Sequence, residues 1–126
     1  MADLTVWYNP HCSKCRTAQG LLAERGVDAD YVRYLDEAPT RPELERVLAL
    51  LGTDDPLAIT RTGEPVYAEL GLAGADRSTL LDALAAHPVL IERPIAIRGG
   101  RAVVARPPER ILELLNTPDR PIPPSS

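Results

Sequence analysis

The chain has 126 residues, 44% of them hydrophobic and 25% charged, which excludes a disordered polymer and leaves room for one folded domain rather than two. Eighteen acidic and 14 basic residues give a net charge of −4, which argues against a nucleic acid or an anionic membrane held by bulk charge. There is no Phe, so the core must rely on Leu, Ile, Val and Ala; the two cysteines both lie in Cys12-Ser13-Lys14-Cys15, so disulfide staples are not what holds the fold.

Leu4-Thr-Val-Trp-Tyr8 is rich in β-formers and stops at Asn9-Pro10, which predicts a short first strand and a turn. From Ser13 to Arg25 the residues Ala18, Leu21 and Leu22 share a helical face, and Gly26 supplies the stop. Cys12 is therefore expected at or just before a helix N-terminus. Tyr31-Val-Arg-Tyr-Leu35 is the next predicted strand, completing the spacing of a parallel βαβ unit with the cysteines in its first turn.

Thr40-Arg-Pro-Glu43 carries an N-cap, an early Pro and an acidic residue, followed by Leu44, Val47, Leu48 and Leu51 at helical spacing as far as Gly52. Leu57-Ala-Ile59, Val66–Leu72 and Ser78–His87 continue as shorter helical pieces, so residues 40–87 are expected to form a helical insertion. Val89-Leu-Ile91, Pro94-Ile-Ala-Ile97 and Ala102-Val-Val-Ala105 read as strands, with Gly99-Gly100 as a hairpin turn. Pro107-Pro-Glu109 opens a last helix through Leu115. Residues 117–126 hold four prolines and little apolar content, the composition of a disordered tail. The expectation is an α/β domain over residues 1–116, a thioredoxin-like fold with a mixed sheet of about four to five strands and an inserted helical lobe. No apolar stretch approaches the roughly 18 residues of a membrane span, and the first residues lack a basic leader, so a cytoplasmic location without a membrane partner is expected.

A thiol attacks as its thiolate, and unpaired N–H groups at a helix start together with a nearby cation favour that form. Cys12 has the helix start, with Lys14 and Arg16 close in sequence, so it is expected to attack, and Cys15, one turn on, to resolve the adduct as a local disulfide. A zinc site would need a second ligand pair, which His11 and His87 do not supply at finger-like spacing, so no metal is expected. A pair of inert buried thiols is the plainer alternative. Arg61, Arg93 and Arg106 each stand beside prolines or turn residues; brought to the Cys12 turn they would suit a tetrahedral oxyanion, and taken singly each reads as a solvated or salt-bridged arginine.

Asn9-Pro-His-Cys-Ser-Lys-Cys-Arg16, Tyr34-Leu with Pro39-Thr, Tyr67-Ala-Glu-Leu-Gly-Leu72, His87-Pro, Glu92-Arg-Pro-Ile95 and Arg106-Pro-Pro-Glu109 together resemble the ArsC family of glutaredoxin-linked arsenate reductases, over about residues 4–116 and in the family's order. The resemblance implies that Cys12 attacks arsenate and that Arg61, Arg93 and Arg106 hold the oxyanion. It implies a cis-proline at Pro94 opposite the cysteine, and Asn9 and Arg16, with the turn amides, are expected to support the cysteine turn. No bound cofactor is implied. The electrons come from outside, through glutathione and glutaredoxin, or through thioredoxin given the second thiol. The best-known members have His where this chain has Tyr8, and many have Ser where it has Cys15. The Spx-type regulators, redox-responsive partners of RNA polymerase, are relatives with the same CxxC, and Arg106 favours the reductase over them.

Overall fold

A computed structural model describes residues 4–116 of the chain. The elements run β1 (Leu4–Tyr8), α1 (Ser13–Glu24), β2 (Asp30–Arg33), α2 (Arg41–Leu51), α3 (Pro65–Glu69), α4 (Arg77–Ala86), β3 (Ile95–Arg98), β4 (Arg101–Val104) and α5 (Glu113–Asn116). Short 3-10 turns occupy Pro56–Ile59, Pro88–Leu90 and Pro108–Leu112. The chain divides into two compact units, one from residues 4–33 and 93–116 of the described chain and the other from residues 34–92.

The first unit contains the whole sheet, in the order β2-β1-β3-β4. β2 lies parallel to β1, with Tyr8 opposite Arg33, and β3 lies antiparallel on the other side, with Trp7 opposite Ile95. This is the mixed α/β sheet of the thioredoxin-like expectation, with four strands. β3 and β4 join through the predicted Gly99-Gly100 turn, where Gly99 takes φ 56°, a value that two-residue hairpin turns of the primed types require. α1 buries Cys15, Ala18 and Leu22, a repeat at helical spacing. It ends with Gly26 at φ 67°, whose N–H bonds to Ala23 O at 3.0 Å while Val27 N–H reaches Leu22 O at 3.0 Å. That pair of bonds satisfies carbonyls the helix end would otherwise leave open.

Leu4, Val6, Ala18, Leu22, Ala96 and Val103 meet in a core closed by Ala105, Ile111 and Leu114, so its fully buried part is aliphatic, with Tyr8 and Tyr31 packed against it from the edge. The second unit has its own apolar centre, in which Leu44, Leu48, Leu81, Leu84, Leu90 and Ile91 are fully buried. α2 starts with the predicted capping box, the Thr40 hydroxyl accepting from Glu43 N–H and the Glu43 carboxylate from Thr40 N–H.

Two predicted strands change. β2 covers Asp30–Arg33, so Tyr34 and Leu35 lie beyond it. Val89-Leu-Ile91 is not a strand: Pro88–Leu90 is a 3-10 turn opened by Pro88, and Ile91 makes only an isolated bridge to Thr60. The apolar run reflects burial, Leu90 and Ile91 both being 0% exposed, which periodicity cannot distinguish from a strand over three residues. The final helix begins as the 3-10 turn Pro108–Leu112 before α5. The proline-rich tail expected over residues 117–126 lies outside the described residues. Among the described residues no helix is long and apolar enough to cross a membrane.

Candidate active site

β1 delivers the chain to a tight turn built by Asn9. Its carbonyl accepts the Cys12 N–H at 3.0 Å, its side-chain Oδ1 accepts the His11 N–H at 2.9 Å, and its own N–H points at the Cys15 sulfur at 3.4 Å. Cys12 follows as the N-cap of α1, in extended backbone geometry (φ −94°, ψ 123°), and its carbonyl accepts the Arg16 N–H at 3.1 Å. The helix start thus carries a sulfur where other helices carry a hydroxyl or a carboxylate.

The two thiols are free and differ in environment. Cys12 is 9% exposed and Cys15 only 1%. Burial raises the Cys12 pKa, but the Cys15 N–H, the Cys15 thiol, the Lys14 N–H and the charge of Arg93 outweigh it, so Cys12 ionises below the ordinary 9.0. For Cys15 burial dominates; the Asn9 N–H and Arg93 act the other way, while the Cys12 charge and hydrogen bond add to the increase, and its pKa is pushed up to about 11. Of the pair, Cys12 is therefore the one that ionises more readily, and Cys15 the one that keeps its proton.

The cation that acts on both sulfurs is Arg93. Arg16, assigned to that support from sequence, has an exposed side chain, and Lys14 contributes through its backbone N–H rather than its ammonium. Arg93 precedes the cis-peptide to Pro94, and Pro94 is buried. The Pro94 carbonyl accepts the Ala105 N–H at 2.9 Å, and Arg106 Nη1 donates to the Arg93 carbonyl at 3.0 Å. Arg93 and Arg106 are thereby held side by side in the unit that carries the cysteines. Arg93 Nε is buried without a hydrogen-bond partner, a donor that gains by meeting an acceptor.

Arg61 belongs to the second unit. Its Nη2 pairs with Glu64 Oε2 at 3.1 Å, and the two line a cavity of about 320 Å³ with Thr60, Thr62, Gly63 and Glu92. This is the salt-bridged arginine that Arg61 reads as when taken singly, with its partner three residues on. Tyr8 packs edge-on against Tyr31 with ring centroids 5.1 Å apart. No cluster of three or more His, Cys, Asp or Glu suited to a metal ion occurs among the described residues.

The sequence matches the model of the ArsC family over residues 7–114. It is 42% identical over 117 residues to a Neisseria meningitidis protein named arsenate reductase, covering 91% of this chain and 100% of that one. It is 39% identical over 115 residues to the arsenate reductase of Haemophilus influenzae, covering 90% of this chain and 99% of the relative. Among solved structures, the arsenate reductase of Vibrio cholerae superposes with a TM-score of 0.85 at 38% identity, over 88% of this chain and 96% of that one. With a thiol of favoured ionisation at the first helix start, Arg93 acting on it, and a family match over residues 7–114 backed by relatives about 40% identical over nine-tenths of the chain, the chain belongs to the ArsC family.

Proposed function

We propose that this protein reduces arsenate to arsenite, with Cys12 as the nucleophile and Cys15 as the resolving thiol. The observation that carries this reading is the pairing of a thiol whose ionisation is favoured with Arg93, a half-buried cation whose buried Nε lacks an acceptor. The names of the relatives supply the substrate. The Cys12 thiolate attacks arsenic, forming a sulfur–arsenic bond as one oxygen leaves as water. Cys15 then attacks the Cys12 sulfur; the sulfur–sulfur bond forms, the sulfur–arsenic bond breaks, and its electron pair stays on arsenic, which departs as arsenite. Two thiols are oxidised to one disulfide while arsenic gains two electrons, so each cycle ends with an external thiol, glutaredoxin with glutathione or thioredoxin, reducing the pair.

Arg93 and Arg106 offset the charge of the oxyanion, the guanidinium fork being matched to tetrahedral oxygens. Arg61 is included in the clamp on sequence grounds, and Arg61→Ala tests it separately. The deciding experiment measures arsenite released from arsenate with each donor system for the parent chain, Cys12→Ser and Cys15→Ser. Loss of turnover in Cys12→Ser, with Cys15→Ser shifted toward glutathione and glutaredoxin, is the expected result. No arsenite from the parent chain with either donor, while Cys12 still alkylates, would reject the assignment.

A further inference from the structure

We infer that Asn9 is a positioning residue for the resolving step: its turn aims a backbone N–H at Cys15, and that donor favours the Cys15 thiolate once Cys12 carries an adduct. The inference rests on Cys12 and Cys15 acting as an attacking and resolving pair.

While Cys12 is a free thiolate, the Cys15 thiol donates its proton to that sulfur, which stabilises Cys12 and holds Cys15 neutral. Formation of a bond to the Cys12 sulfur removes the negative charge. Two influences that favour a Cys15 thiolate then remain, the Asn9 N–H at 3.4 Å and the Arg93 charge, set against burial. The N–H is fixed from both ends of the turn, through the Asn9 side chain to His11 N–H and through the Asn9 carbonyl to Cys12 N–H. An alanine at position 9 keeps the backbone donor but loses the side-chain acceptor that closes the turn. The electrons balance as in any thiol exchange. Cys15 releases its proton to solvent and attacks the Cys12 sulfur, the disulfide forms, and the group carried by Cys12 leaves with the bonding pair.

The test uses the aromatic disulfide 5,5′-dithiobis(2-nitrobenzoate) at one equivalent, which makes the outcome independent of arsenate. The first thionitrobenzoate released reports Cys12 attack, and the second, released without further reagent, reports Cys15 resolution. In Asn9→Ala the second phase is expected to slow about fivefold, the worth of one weakened hydrogen bond, with the first phase within about twofold of the parent. Asn9→Ser, which restores an acceptor oxygen, is expected to recover the second phase. In the parent chain the pH midpoint of the second phase is expected below the value of about 11 that Cys15 has beside a free Cys12 thiolate. Equal slowing of both phases in Asn9→Ala, an unchanged second phase, or a parent midpoint at or above 11 would overturn the inference. An intact second phase in a protein that yields no arsenite would instead reject the proposed substrate.

Discussion

Substoichiometric iodoacetamide at pH 7, under reducing conditions, should mark Cys12 and spare Cys15. With a pKa of about 11 against an ordinary 9.0, Cys15 holds about 100-fold less thiolate at this pH than an unperturbed thiol. Cys12 ionises below 9.0, so its advantage over Cys15 is larger still. Weaker acids give stronger nucleophiles, and a Brønsted coefficient of roughly 0.4–0.5 returns about tenfold to Cys15 over two pKa units. The remaining preference is about tenfold or more for Cys12, before the 1% exposure of Cys15 against 9% for Cys12 adds to it. Peptide mapping by mass spectrometry reads the ratio directly, and the same reagent in denaturant should label both sites comparably. Equal labelling of the folded protein, or a majority on Cys15, would refute the assignment of attacking and resolving thiols.

The other expectations separate charge, packing and capping. Arg93→Ala should raise the pH midpoint of Cys12 alkylation because it removes the cation that favours the thiolate, whereas Arg106→Ala should leave that midpoint nearly unchanged and raise the arsenate KM. Leu22→Ala opens a cavity among fully buried aliphatic residues and should cost about 2–5 kcal/mol, seen as a lower urea midpoint. Thr40→Ala removes the α2 capping box and should cost about 1 kcal/mol in the same assay. The folded-state pKa of Cys15 is raised, so the stability it confers is present below 9 and lost as pH rises toward 11; the difference in urea midpoint between the parent chain and Cys15→Ala should shrink or reverse over that range.

Local signals carried most of what was readable before the structure. β1, α1, the Thr40–Glu43 capping box and the Gly99-Gly100 hairpin each announce themselves within a few residues, because a cap, a turn or a period is a short-range property. Val89-Leu-Ile91 misled because three apolar residues look alike whether burial or strand pairing keeps them from water. The cysteine pair was placed at the right turn, yet the cation acting on it was sought in neighbours along the chain. Arg93 reaches the sulfurs because β3 pairs with β1, a long-range contact that no local spacing encodes. The Asn9 N–H on Cys15 was invisible for a similar reason: it depends on the orientation of one peptide group within a turn.

The bond from Arg106 to the Arg93 carbonyl spends a prong of the fork as a brace on the neighbouring loop, so in the proposed oxyanion clamp this side chain would do two jobs at once. Lysine there would keep the positive charge, but its ammonium is a compact point charge and does not present a rigid fork. The brace at position 106 thus depends on the shape of the side chain as much as on its charge. A relative carrying lysine at this position would have to fix its Arg93 loop by some other contact, and that compensating contact is the place to look when a divergent sequence keeps the two cysteines and loses the second guanidinium.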